Sequence, residues 1–77
     1  MKVQVFAALK DHFDKEFEVR GVVENMEMLR SRLREMNPAS SAMLDSCRFA
    51  VQDEFIDNDF KLQDNDTVII LPPSSGG

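Results

Sequence analysis

The chain has no tryptophan, no tyrosine, one cysteine, one histidine and only three glycines in 77 residues. Each shortage narrows what it does. Six Phe are the whole aromatic supply, which suits a compact core and leaves little spare aromatic surface. Cys47 has no second cysteine to pair with, so no internal disulfide holds the fold. Nine Lys and Arg stand against fourteen Asp and Glu, a formal net charge of −5. That balance argues against nucleic-acid binding, which needs a basic stripe to displace counterions. It suits solubility and docking onto basic partner surfaces. No apolar run approaches the ~18 residues of a membrane span, and no charged start with an apolar stretch marks a signal peptide. The expectation is a cytoplasmic protein with neither a membrane nor a nucleic acid as partner.

Familiar catalytic sets are missing too. His12 stands alone between Asp11 and Phe13, and a solvated surface histidine is the plain reading. Asp57, Asp59, Asp64 and Asp66 resemble part of a calcium loop but lack the closing Glu at the right spacing, so they read as acidic turns. Cys47 reads as a small buried hydrophobe, because Arg48 beside it points to the opposite face of a strand. The rival reading of Cys47 is a persulfide carrier. No nucleophile–base pair, phosphate loop or metal set is present, and the chain is expected to bind no cofactor or metal of its own.

What is present is one small domain with a 43% hydrophobic composition, enough for a single core. Residues 2–8, KVQVFAA, alternate and are rich in β-formers. They predict a strand with Val3, Val5 and Ala7 on one face and Gln4 and Phe6 on the other. LKDHFDK, 9–15, predicts a short helical turn or loop. EFEVRG, 16–21, predicts a second, antiparallel strand with Phe17 and Val19 inward. Met26, Leu29, Leu33 and Met36 then recur at helical spacing as one core stripe. Asn25 is placed to cap that helix, Glu27 lies in its first turn, Arg34 lies near its end, and Pro38 stops it after Asn37. A short second helix fits Asn37 as cap, Pro38 at its first position and an end near Leu44. CRFAVQ, 47–52, predicts a third strand with Phe49 and Val51 on one face. Residues 53–65 read as acidic, turn-rich and irregular, and 67–71 as the final strand.

The first and last strands are the most apolar, which makes them the central neighbours. A parallel pairing places the helix in the crossover. The expected fold is therefore α+β: a β-grasp, ubiquitin-like mixed sheet of four to five strands, covered on one face by a helix, with one or two further short helices. If Val3, Val5, Val68 and Ile70 face that helix, then Phe6, Ile69 and Leu71 face the other way, and Phe55 can join them as a partner-binding patch.

The chain closes on LPPSSGG, 71–77. Leu71 is pushed to extended geometry by Pro72, and Pro73 continues a polyproline-like path in which no proline donates to a sheet ladder. The reading is a domain over 1–71 and an extended, flexible tail over 72–77, formed by Pro72, Pro73, Ser74, Ser75, Gly76 and Gly77. At ~3.3 Å per residue the tail reaches as far as roughly 20 Å. Gly76 and Gly77 make its end thin enough for a channel that excludes any Cβ. The reactive group is then the α-carboxylate of Gly77.

The stretches VQVFAALKD at 3–11, MLRSRL at 28–33, FAVQ at 49–52 and FKLQDNDTVIILPPSSGG at 60–77 carry a resemblance. The chain resembles the small subunits of molybdopterin synthase, in the MoaD/ThiS-type β-grasp sulfur-carrier family. That family ends in a Leu, an Asp-Gly-Asp turn, an apolar strand and Pro-Pro-x-x-Gly-Gly. Leu62, Asp64, Asp66, Val68, Pro72, Pro73, Gly76 and Gly77 match it. Asn65 stands for the turn glycine, which asparagine's tolerance of positive φ allows. Gln52 stands where the family often has Asn.

The resemblance implies that a ubiquitin-activating-like adenylyltransferase uses ATP to adenylate the Gly77 carboxylate, and that sulfur then replaces AMP to give a thiocarboxylate. It implies a hetero-oligomer, the family's heterotetramer, with a large subunit. In that subunit's active site the sulfur would pass to a cyclic pyranopterin. On this reading the chain is not an enzyme by itself. Sulfur carriage for thiamine thiazole or tRNA thiolation, a ubiquitin-like modifier that joins lysines, and a plain β-grasp adaptor remain open at this stage.

Overall fold

The computed structural model describes residues 1–73. Strand β1 spans Lys2–Val5 and β2 spans Glu16–Glu18. Helix α1 spans Met26–Met36, and a 3₁₀ turn at Pro38–Ser40 leads into α2, Ser41–Ser46. Strands β3, Arg48–Val51, β4, Glu54–Ile56, and β5, Thr67–Leu71, complete one sheet in the order β2-β1-β5-β3-β4. β1 and β5 lie parallel at its centre, and the other neighbours are antiparallel. This is the expected β-grasp.

The register is set by what must be buried. Val3 pairs with Val68 and Val5 with Ile70, and all four are fully buried under α1. Each such aliphatic side chain is worth roughly 2 kcal/mol of transfer free energy. Helix α1 answers with Met26, Leu29 and Leu33, also fully buried. Its entrance is capped as its composition requires, for the Asn25 side-chain oxygen accepts from the Met28 N–H at 2.8 Å. Asn37 performs the same service for the next turn, accepting from the Ala39 N–H at 3.1 Å. Asp45 of α2 ties the two helices, receiving Arg34 and, at 3.8 Å, Arg30.

Several expectations need correction. The first strand stops at Val5, not Ala8, because Ala7 turns left-handed at φ 54° and opens a 3₁₀ turn over Ala7–Asp11. Leu9, rather than Ala7, then enters the core, and Phe13 follows it to stack on Phe17 at 5.4 Å. Met36 is 50% exposed, since it is the last residue of α1 and Asn37 already directs the chain away. Asn65 takes its turn without positive φ. The Asp66 N–H donates to the Gln63 carbonyl at 3.0 Å, and the Gln63 N–H donates to the Asp66 carboxylate at 2.8 Å, so this turn needs no glycine substitute.

The segment expected to be irregular opens with β4. Gln52 and Asp53 form the whole link from β3 to β4, at φ 52° and 66°. Two positive φ values across a two-residue loop are the geometry of a type I′ hairpin, which favours Asn-Gly. Residues 57–63 then run past the entrance of α1. There the Leu62 N–H donates to the Glu24 carbonyl at 2.9 Å and the Met26 N–H to the Phe60 carbonyl at 3.1 Å. The double change Gln52→Asn, Asp53→Gly should therefore stabilise the protein by about 1 kcal/mol, by relieving two left-handed non-glycine residues. Urea denaturation checks this through a raised midpoint at unchanged slope.

Candidate functional site

Among the described residues, no element covers the face of the sheet away from α1. Alternation along β1 puts Lys2 and Gln4 there, and Phe6 continues beyond the strand's end with 40% of its surface exposed. Along β5 the same alternation gives Thr67, Ile69 and Leu71, while Val68 and Ile70 are fully buried on the helix side. Ala50 pairs with Ile69 on one side and with Phe55 on the other. A methyl group at position 50 leaves a floor between two larger neighbours, and Phe55 stands over it 55% exposed. Phe6, Ala50, Asp53, Phe55, Ile69 and Leu71 line one shallow depression of about 340 Å³.

The structure thus brings Phe6, Phe55, Ile69 and Leu71 together on one face. Because β1 and β5 are parallel, the residues that follow Val5 and Ile70 leave the sheet at the same end. The patch therefore lies beside the point where Pro72 and Pro73 leave the sheet. Pro72 is half-buried and Pro73 exposed; Ser74, Ser75, Gly76 and Gly77 lie outside the described residues.

Two contributors escaped the sequence reading. Ala50 is too small to suggest a surface role. Arg48 pairs with Leu71 in the β3–β5 register and lays its guanidinium over the Phe55 ring, 3.6 Å from the centroid. Alternation already put Arg48 on the face opposite the core. The signal for the stack was the hairpin that returns Phe55 beside it, and that hairpin is hidden without the turn geometry at Gln52 and Asp53.

The ThiS family model matches residues 3–77. The chain belongs to the ThiS family. Solved structures with the same fold include SAMP1 from Haloferax volcanii, with a TM-score of 0.84, 17% identity, and 99% of this chain and 97% of that one covered. A second is the protein–protein complex of subunits 1 and 2 of molybdopterin-converting factor from Helicobacter pylori 26695, with a TM-score of 0.74, 28% identity, and 99% and 96% covered. A third is the BexX/CysO complex of Amycolatopsis orientalis, with a TM-score of 0.79, 21% identity, and 99% and 98% covered. No curated protein matches the chain by sequence. The fold is that of the ubiquitin-like sulfur carriers of the ThiS and MoaD type, and two of these neighbours are structures of complexes.

Within this ThiS-family chain the other chemical candidates are placed as structural groups. Cys47 is buried, and its Sγ–H donates to the Met43 carbonyl at 3.0 Å. Burial pushes its thiol above the ordinary range, and the Arg30 guanidinium only partly opposes this. Among the described residues, no cluster of three or more His, Cys, Asp or Glu side chains is placed to hold a metal ion. None of the helices described is long and apolar enough to cross a membrane.

Because the folded state holds the Cys47 proton more tightly than the unfolded chain, the unfolded form deprotonates first as pH rises. Native stability should accordingly be complete below the ordinary thiol range of ~8.5 and fall above it. The fall should be smaller in Cys47→Ala, compared by denaturant midpoints across pH. Iodoacetamide should label native Cys47 far more slowly than the unfolded chain.

Proposed function

We propose that this chain is the sulfur-carrying small subunit of a molybdopterin synthase. The observation that carries the reading is an apolar depression lined by Phe6, Phe55, Ile69 and Leu71, which no described residue covers, in a ThiS-family chain with Pro-Pro-Ser-Ser-Gly-Gly at 72–77. The 28% identity to a structure of molybdopterin-converting factor subunits supports the choice of pathway.

A free carboxylate is a poor electrophile, because its charge is delocalised and oxide is a poor leaving group. An activating enzyme with ATP would convert the Gly77 carboxylate to an acyl adenylate with release of pyrophosphate, which supplies AMP as leaving group. A sulfur donor then displaces AMP and leaves a thiocarboxylate. Inside the large subunit that sulfur would displace an oxygen substituent from a carbon of cyclic pyranopterin to form a thioester, and water would then hydrolyse it, leaving the sulfur on the pterin and returning the Gly77 carboxylate. The precursor is a phosphate, so its basic pocket belongs to the partner. The present chain contributes position: Phe6, Phe55, Ile69 and Leu71 seat the domain, Pro72, Pro73, Ser74 and Ser75 span the distance, and Gly76 lets Gly77 enter.

Mass spectrometry of the chain purified beside its activating enzyme tests the chemistry. One oxygen exchanged for sulfur at Gly77 is the expected product. Lysine conjugates of higher mass in its place would make the chain a modifier, and delivery of the sulfur to thiamine thiazole or tRNA would reassign the acceptor. Removal of Gly77 should abolish transfer with the unfolding midpoint unchanged, and transfer by the truncated chain would overturn the mechanism. Phe6→Asp should weaken binding of the large subunit by about 2 kcal/mol, roughly 30-fold, while circular dichroism stays native. Equal affinity would remove Phe6 from the interface.

A further inference from the structure

The uncovered face carries two cations. Lys2 is held by Glu16 at 2.9 Å. Arg48 forms no ion pair or hydrogen bond with any described residue, and its guanidinium carbon stands over the Phe55 ring, 3.6 Å from the centroid. A guanidinium held over a ring face at this distance is placed before anything binds, and the contact uses none of its N–H donors for a conventional hydrogen bond. A planar fork so placed suits a carboxylate held by two parallel hydrogen bonds. The stack stands at the tail end of the apolar patch, beside Leu71, whereas Asp53 lines the patch itself. The face is thus polarised within a chain of net charge −5.

We infer that Arg48 is a specificity-determining contact for the partner protein: the surface that covers Phe55 and Leu71 carries a carboxylate which Arg48 receives edge-on while it stays stacked on Phe55. The inference rests on the patch reading above and adds the partner's chemistry to it. The partner's wall is apolar opposite Phe6 and Ile69 and acidic opposite Arg48. An ordered arginine loses little further side-chain freedom on binding, and a carboxylate desolvated against an apolar floor gains more from it than one in water. A wrong partner that offers a cation at this place meets like charge at the Leu71 end of the contact.

Titration of the full-length chain against the partner subunit that co-purifies with it tests the inference, with native unfolding midpoints required of every variant. Arg48→Glu should weaken binding about 30-fold or more, and Arg48→Lys should recover only part of the loss. Arg48→Ala should reduce the salt dependence of the affinity. Changing the facing partner carboxylate to lysine should restore binding of Arg48→Glu. Wild-type affinity in Arg48→Glu, alongside loss of binding in Phe55→Asp, would overturn the role of Arg48 and leave the patch standing. A loss in Arg48→Glu that no acid-to-lysine change in the partner restores would overturn the carboxylate. Unchanged binding in Phe55→Asp as well would overturn the patch reading itself.

Discussion

The parallel pairing of β1 with β5 is the constraint from which the rest follows. It buries Val3 against Val68 and Val5 against Ile70, and it requires a crossover, which α1 supplies with Met26, Leu29 and Leu33. Side chains along a strand alternate, so the same register decides the opposite face. A slip of one residue would expose Val68 and Ile70 and drive Ile69 and Leu71 under the helix. Core and patch are therefore two consequences of one register. The penalty for exposing four fully buried aliphatics is what keeps Phe6 and Leu71 together at the tail's root.

Much of this was legible in the chain because the core strands follow a simple period. Val3, Val5, Val68 and Ile70 announce their parity, Asn25 and Asn37 announce the helix starts, and Pro38 marks the break between them. Most of the failures share a cause: backbone that departs from the period. Ala7 and the pair Gln52–Asp53 take positive φ without a glycine, so the end of β1 and the β3–β4 hairpin carry no turn signature. Leu9 and Phe13 were hidden in a polar-looking stretch because a 3₁₀ turn, not a strand or α-helix, directs them inward. Met36 continues a valid stripe past the point where the helix has anything to cover. At the candidate site, parity disclosed Phe6, Ile69 and Leu71. Ala50 and Arg48 matter only through Phe55, whose place depends on the unsigned hairpin.

On the proposed reading the chemistry is divided in an uncommon way. The described side chains supply a seat, and the reacting group is a backbone terminus activated elsewhere. Selection on such a chain falls on shape, on the apolar face and on the thinness of its end. On the same reading the buried Cys47 fits this economy: its thiol donates back to the Met43 carbonyl of α2, and burial raises its pKa, which disfavours the thiolate that would compete with a terminal thiocarboxylate for electrophiles.

On the proposed reading the apolar face waits for a partner, which makes it a liability while the chain is alone, and it adjoins an edge strand that pairs on one side only among the described residues. β4 is that edge, with Phe55 at its centre. A long, flat, hydrophobic edge invites pairing with other strands. This one is three residues long and starts at Glu54, which limits how much ladder it can offer. Arg48 then covers the exposed ring of Phe55 with a charged plane, so the most solvated aromatic of the patch is partly screened while the chain is free. The same stack that makes the unbound face tolerable in water holds a cation in register for the bound one. If the inference about Arg48 holds, one side chain joins the solubility of the free domain to the choice of what it docks against.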